Sequence, residues 1–140
     1  MSFDFSTVKW SWVVIGAIVA IVVAIVLSLA FQFGYGVVIG FQLRGNPPQE
    51  MLIEAFMSTP FLILGVIITG IGALVGGHTA ARRSEDNPQL AGLMTGILIA
   101  VLAVALRAWQ WGLDLWTLPN VVLAVLGGWA GGWLVFQEGL

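Results

Sequence analysis

Cysteine is absent from the 140-residue chain. That absence excludes disulfide bonds, thiol catalysis, iron–sulfur clusters and zinc sites built on cysteine. Charge is also scarce, since charged residues make up 9% of the chain against about 25% in a typical soluble domain. Five basic and seven acidic side chains cannot cover the surface of a water-soluble domain of this size. The soluble globular class is therefore excluded.

Apolar residues take the place of the missing charge. They make up 59% of the chain, and the mean hydropathy is +1.01. Disorder is excluded, because it requires low hydrophobicity. The formal net charge of −2 offers no basic surface for a nucleic acid, so we expect no such partner.

Long uncharged intervals divide the chain into four apolar segments. Each interval reaches the length of about 20 residues that a membrane-spanning helix needs. The segments lack the alternation of apolar and polar residues that β-barrel strands show, so helices are predicted. The predicted spans are residues 12–33, 56–80, 89–111 and 117–136. The sequence therefore predicts an all-α integral membrane protein, a four-helix bundle forming a single transmembrane domain over residues 1–140.

The segment between the first two spans is open to two interpretations in its first part. Residues 34–43 are apolar and uncharged, and they either extend the first helix or lie in the membrane interface. Pro47 and Pro48 then break any helix, since proline lacks the N–H and restricts the residue before it. Residues 49–57 are predicted to begin a helix that runs into the second span.

The basic residues give a weak indication of orientation. Four spans place both termini on one side, together with Lys9, Arg82 and Arg83, while Arg44 and Arg107 lie on the other. Basic side chains favour the cytoplasmic side of short loops. We therefore expect a multi-pass protein of the bacterial inner (plasma) membrane with both termini in the cytoplasm.

A five-residue pattern of Ala, aromatic, Gln, aromatic and Gly occurs twice, at residues 30–34 and 108–112. Each copy is predicted to close a helix. One interpretation is a pair of tandem helical hairpins related by a pseudo-two-fold axis along the membrane normal. The alternative is convergence, because tryptophan and glycine commonly mark helix ends.

Glycines spaced four residues apart recur in the last three spans, and such ladders let helix backbones approach closely in a bilayer. One interpretation is packing within a compact bundle, and the other is a contact surface for another protein's helices. The fourth span favours the second, because Trp129 and Trp133 flank its glycines as large anchors. The candidate packing and interface glycines are Gly72, Gly76, Gly92, Gly96, Gly127, Gly128, Gly131 and Gly132.

Ionisable residues inside a membrane usually mark ion pathways or proton relays, and none lies in the middle of a predicted span. Arg107 is expected to reach the interface near the end of the third span, paired with Asp114, with a substrate or lipid headgroup as the alternative contact. Glu50 and Glu54 are spaced to share one helical face. We expect that face to be solvated, the alternative being a cation or acid/base site.

His78 is the single histidine of the chain. We expect it to be a polar residue of the interface, with axial ligation of a pigment or haem as the less favoured interpretation. No catalytic constellation, cofactor or metal site is predicted, and we expect no enzymatic activity.

The segment from Gly76 to Gly96, GGHTAARRSEDNPQLAGLMTG, resembles the middle of small four-helix bacterial membrane proteins of unknown function. Those proteins share a Gly-Gly-x-x-Ala-x-Arg turn followed by a glycine-rich third helix. The resemblance implies a four-span fold and supplies no functional residues. The matching positions are Gly76, Gly77, Ala80, Arg82, Gly92 and Gly96.

The predicted spans, contact surfaces and aromatic anchors are accompanied by no catalytic, cofactor or metal site. This combination favours a non-catalytic accessory subunit of a larger membrane complex, such as a respiratory or photosynthetic electron-transfer assembly. Its partners are then other membrane subunits and lipid. A small homo-oligomeric transporter or channel is the alternative. A pigment- or haem-binding subunit that uses His78 is the third interpretation.

Overall fold

The computed structural model describes residues 3–84, 86–110 and 112–138. In that part of the chain a short turn of 3₁₀-helix, Phe5–Thr7, precedes five α-helices and no strand forms. The α-helices are α1 (Trp10–Leu43), α2 (Gln49–Phe56), α3 (Thr59–Arg82), α4 (Pro88–Gln110) and α5 (Thr117–Glu138). All but α2 are long and apolar enough to cross a membrane. The predicted all-α, four-span membrane fold is confirmed; Trp111, the predicted end of the third span, lies outside the described residues.

The four spans pack as two hairpins. In the first hairpin α1 runs antiparallel to α3, and in the second α4 runs antiparallel to α5, which packs between α3 and α4. Helix α1 packs mainly against α3 and over a smaller area against α4. Both hairpins start from the same end of the bundle, which is the arrangement that the tandem-hairpin interpretation requires.

Helix α1 continues well beyond its predicted end at residue 33 and finishes at Leu43, so residues 34–43 extend the first helix. A lone glycine costs a helix only about 1 kcal/mol, and Gly34 is followed by apolar residues without proline. The helix closes at Arg44, which adopts a left-handed conformation with φ of 55°. The N–H of Gly45 then donates to the Gly40 carbonyl at 3.1 Å, as in a Schellman end.

The two copies of the repeated pattern therefore differ in their roles. The prediction that each copy closes a helix is wrong for residues 30–34, which lie inside α1. The second copy does end a helix, and its Gly112 has a φ of 77°, a conformation that glycine adopts without a steric penalty. The first copy stays within the helix because the residues that follow it are apolar and include no proline.

Helix α2 is separate from α3, so the prediction that residues 49–57 run into the second span is wrong. Helix α2 ends at Phe56, and Ser58 is extended before α3 begins at Thr59. Pro60 lies in the first turn of α3. In a continuous helix it would leave the Phe56 carbonyl without a donor and clash with it, so the chain breaks here.

Small side chains fill the centre of the bundle. A second cluster at the end that carries the N-terminus contains larger side chains, with Leu90 fully buried against Val8, Val13 and Ala91. Backbones approach closely where the side chains are small, and dispersion contacts replace the hydrophobic effect that the bilayer removes. The central cluster consists of Ala17, Ala20, Ala73, Ile99, Ala100 and Ala124.

Candidate functional site

Gly127, Gly128, Gly131 and Gly132 form a glycine stripe on α5. One edge of this stripe, Gly127 and Gly131, packs against α3. A Cβ added to Gly127 would lie 2.6 Å from the carbonyl oxygen of Gly70, and one added to Gly131 would lie 2.5 Å from that of Leu74. Real side chains do not approach a backbone so closely. This edge is therefore covered by the chain itself.

The other edge of the stripe packs against α4. A Cβ on Gly128 would lie 2.6 Å from the Gly92 carbonyl oxygen, and one on Gly132 would lie 2.6 Å from that of Pro88. Gly96 completes this crossing, since its added Cβ would lie 2.7 Å from the carbonyl oxygen of Ala124. Both glycine edges of α5 thus face neighbours within the chain, and neither is free for a partner.

The remaining predicted glycines join α3 to α1. A Cβ on Gly72 would lie 2.8 Å from the Ala20 carbonyl oxygen, and one on Gly76 would collide with the Gly16 carbonyl. Gly77, which lies on a neighbouring face of α3, contacts Gly128 of α5. Helix α3 therefore makes close backbone contacts on two sides, with α1 and with α5.

The two tryptophans of α5 lie outside these crossings. Trp129 and Trp133 are each 39% exposed, and they flank the stripe on the outer side of the bundle. They are available to lipid or to a neighbouring protein, whereas the glycines between them are not.

A polar pair joins α3 to α5 and was missed by the sequence analysis. The Thr69 hydroxyl lies 2.8 Å from Oδ1 of Asn120, and Nδ2 of Asn120 donates to the Trp116 carbonyl at 2.8 Å. Hydrogen bonds of this kind hold membrane helices together. The available signal was an asparagine inside a predicted span, which needs a partner in a bilayer.

His78 lies at the ends of α3 and α5. Its Nε2 is 3.4 Å from Oε1 of Glu138, whose other oxygen lies 3.6 Å from Arg82. All three side chains are at least partly exposed. Over the described ranges, no group of three His, Cys, Asp or Glu side chains is placed to hold a metal ion.

The opposite end carries the predicted ion pair. Arg107 donates to Oδ1 of Asp114 at 2.8 Å, which confirms this pairing. Asp114 also accepts the backbone N–H groups of Trp116 and Thr117. The pair therefore fixes the connection from α4 to α5.

Helix α2 presents two different faces. Glu50 and Glu54 are exposed, and they form no ion pair with another described residue. Leu52 and Phe56 lie on the face towards α1. The acidic face therefore points away from α1.

Contacts that the sequence did not reveal anchor the start of α1. The Arg83 guanidinium lies 4.9 Å from the centre of the Trp12 ring, a cation–π geometry. The buried Ser84 hydroxyl accepts the backbone N–H of Lys9 at 3.4 Å. Before α1, the hydroxyl and backbone N–H of Ser6 donate to Asp4 and lower the pKa of its carboxyl.

Three aromatic rings meet where α1, α2 and α3 converge. The Tyr35 ring centre lies 5.8 Å from that of Phe56 and 5.0 Å from that of Phe61, and the two phenylalanine rings are 5.2 Å apart. All three pairs have the edge-to-face geometry that aromatic rings favour. Residues 36–43 of α1 extend past this cluster by about 12 Å at 1.5 Å per residue.

An open groove of about 860 Å³ lies between this projecting part of α1 and α2. Arg44 and Asn46 stand at one end of it. Its glycines, Gly36 and Gly40, leave room along α1. The large apolar side chains that line it are Leu29, Phe33, Val37 and Phe41 of α1, with Leu52 and Phe56 of α2.

Comparisons with protein-family models, with curated proteins and with solved structures find no match to this chain. The resemblance over residues 76–96 therefore stays a prediction.

Proposed function

We propose that the chain is a non-catalytic accessory subunit of a larger membrane protein complex. A partner subunit would contact α1 around Gly34 and Val38, where the helix passes into its projecting part. The observation that carries the proposal is the length of α1, whose apolar surface continues beyond the end of the bundle. An electron-transfer assembly of the bacterial inner membrane is the host that we propose.

The length of α1 exceeds what a bilayer requires. Its 34 residues extend about 51 Å, whereas the hydrocarbon core is about 30 Å thick. Val38 is 54% exposed on the projecting part, and it does not line the groove beside α2. Contact with a partner subunit would cover that exposed apolar surface.

Gly34 supports a close approach by a partner. A Cβ added there would meet no atom of this chain within 4 Å, and its φ is not positive. A glycine inside a helix costs about 1 kcal/mol relative to alanine. The chain itself gains nothing from this glycine, whereas a partner helix that packs against α1 would need the space.

The bundle itself favours a scaffold over the alternative functions. Backbone contacts close α3, α4 and α5 on one another, which leaves little room for a pore within one chain. The interpretation as a haem- or pigment-binding subunit depends on His78, whose Nε2 already faces Glu138. No observation favours either alternative.

The orientation is proposed from the basic residues, with both termini in the cytoplasm. Alkaline phosphatase is active outside the cytoplasm, so we expect an inactive fusion after α5 and an active fusion at Asn46. The measurement is phosphatase activity in intact cells, normalised to the amount of fusion protein. An active fusion after α5 would reverse the proposed orientation.

The partner surface is tested by Gly34→Leu. Because a Cβ there meets no atom of this chain within 4 Å, we expect an unchanged fold and at least tenfold less partner bound, a loss of at least about 1.4 kcal/mol. The measurement is the stoichiometry of the complex purified from native membranes in mild detergent, read by native mass spectrometry.

Gly36→Leu is the matched control. It lies two residues further along α1, on the opposite face, and its Cβ also meets nothing within 4 Å. We expect this variant to retain its partners. The proposal fails if the wild-type chain purifies without a partner of fixed stoichiometry, or if both variants retain the partner equally.

A further inference from the structure

We propose that the groove between the projecting part of α1 and α2 binds one anionic phospholipid. An acyl chain would lie along the groove, and the phosphate would contact Arg44. The inference does not depend on a partner subunit, because Gly34 is not among the residues that line the groove.

The groove has the length of one lipid leaflet. Its lining on α1 runs from Leu29 to Arg44, which is about 22 Å of helix. Half of a bilayer that is about 40–45 Å thick, headgroups included, has the same length. Apart from Gln32, the lining along α1 is apolar up to the cation Arg44, which fits an acyl chain with an anionic headgroup at one end.

The chain meets α2 at both ends of the groove. The Tyr35–Phe56 contact holds one end of α2 against α1. At the other end the turn at Arg44 joins the two helices, and the Gly45 N–H bonds to the Gly40 carbonyl.

The charge at the mouth of the groove complements an anionic headgroup. Arg44 forms no ion pair with any residue that the structure describes. Glu50 and Glu54 are not among the side chains that line the groove, which on α2 are Leu52 and Phe56. A guanidinium binds phosphate through two parallel hydrogen bonds.

The groove is tested by filling it. Gly36 lines the groove and a Cβ there meets no atom of this chain within 4 Å, so we expect the leucine of Gly36→Leu to fill the groove and to weaken retention of phosphatidylglycerol at least tenfold. The measurement is native mass spectrometry of the full chain in detergent, titrated with phosphatidylglycerol or phosphatidylcholine. Gly34→Leu is the control, and we expect it to retain the lipid like the wild type.

The headgroup contact is tested by Arg44→Asn. Asparagine tolerates the left-handed conformation of this residue, so the variant removes the charge without adding strain. A basic residue near a membrane surface favours anionic lipid by about fivefold, and we expect this preference over phosphatidylcholine to disappear. Inorganic phosphate alone should not bind.

Three results would overturn the proposal. The first is a wild-type chain that binds phosphatidylglycerol no better than phosphatidylcholine. The second is a Gly36→Leu variant that binds lipid normally. The third is a wild-type dimer that becomes a monomer on Gly36→Leu substitution, which would assign the groove to a second copy of the chain.

Discussion

Alanine at Gly77 is expected to destabilise the bundle by about 1–3 kcal/mol, the usual cost of overpacking, relative to alanine at Gly65. The new methyl group at Gly77 would lie 2.5 Å from the Gly128 carbonyl oxygen and 2.8 Å from its Cα. Both are backbone atoms, so no side chain can rotate away and α3 and α5 must separate. The measurement is unfolding by sodium dodecyl sulfate, followed by tryptophan fluorescence and circular dichroism.

Gly65→Ala is the control because Gly65 lies in the same helix and its added Cβ meets nothing within 4 Å. Both variants gain the same helix propensity, so their difference isolates the contact with α5. Equal unfolding midpoints would show that α3 and α5 do not cross at Gly77.

Bulky residues at the glycines of α5 are expected to act first on the fold of this chain. A Cβ on Gly128 would lie 2.5 Å from Cα of Gly96, so a bulky residue there damages this chain's own bundle before it affects any partner. A loss of partner in a Gly128 variant therefore reports on the fold, which is why the partner surface is tested at Gly34.

Leu90→Ala is expected to destabilise the chain by about 2–5 kcal/mol, the range for buried leucines. Leu90 is the largest of the fully buried side chains, and it contacts Val8, Val13 and Ala91 in the cluster that holds the start of α1 to α4. The cavity left by the substitution forfeits dispersion contacts whether the surroundings are water or lipid. The same detergent titration measures the loss.

Leu106→Ala provides the comparison for Leu90. Leu106 lies in the same helix and is 56% exposed, so lipid or detergent replaces the lost contacts, and we expect a change within about 0.5 kcal/mol. If the two leucine variants unfold alike, Leu90 does not have the buried position described here.

The membrane class and the number of spans were determined by the sequence alone. Scarce charge and apolar runs of membrane-spanning length leave no other architecture, because a bilayer demands that each span satisfy its backbone internally. The same local rule placed the last span within two residues, since residues 117–136 were predicted and Thr117–Glu138 is observed. The Arg107–Asp114 pair also followed from sequence, because the two residues are only seven positions apart, one in the last turn of α4 and the other in the connection that follows.

Features that depend on distant segments were decided by the tertiary structure. Spacing identified the glycines of α5, but the rotation of α5 and its register against α3 and α4 decided that both edges face inward. Asn120 and Thr69 are 51 positions apart, and only the crossing of α3 with α5 makes them partners. The groove exists because α1 is longer than α3 and extends past it, and because the chain then turns back so that α2 lies beside the end of α1. Local composition predicts a helix, whereas which of its faces is covered depends on where the other helices lie.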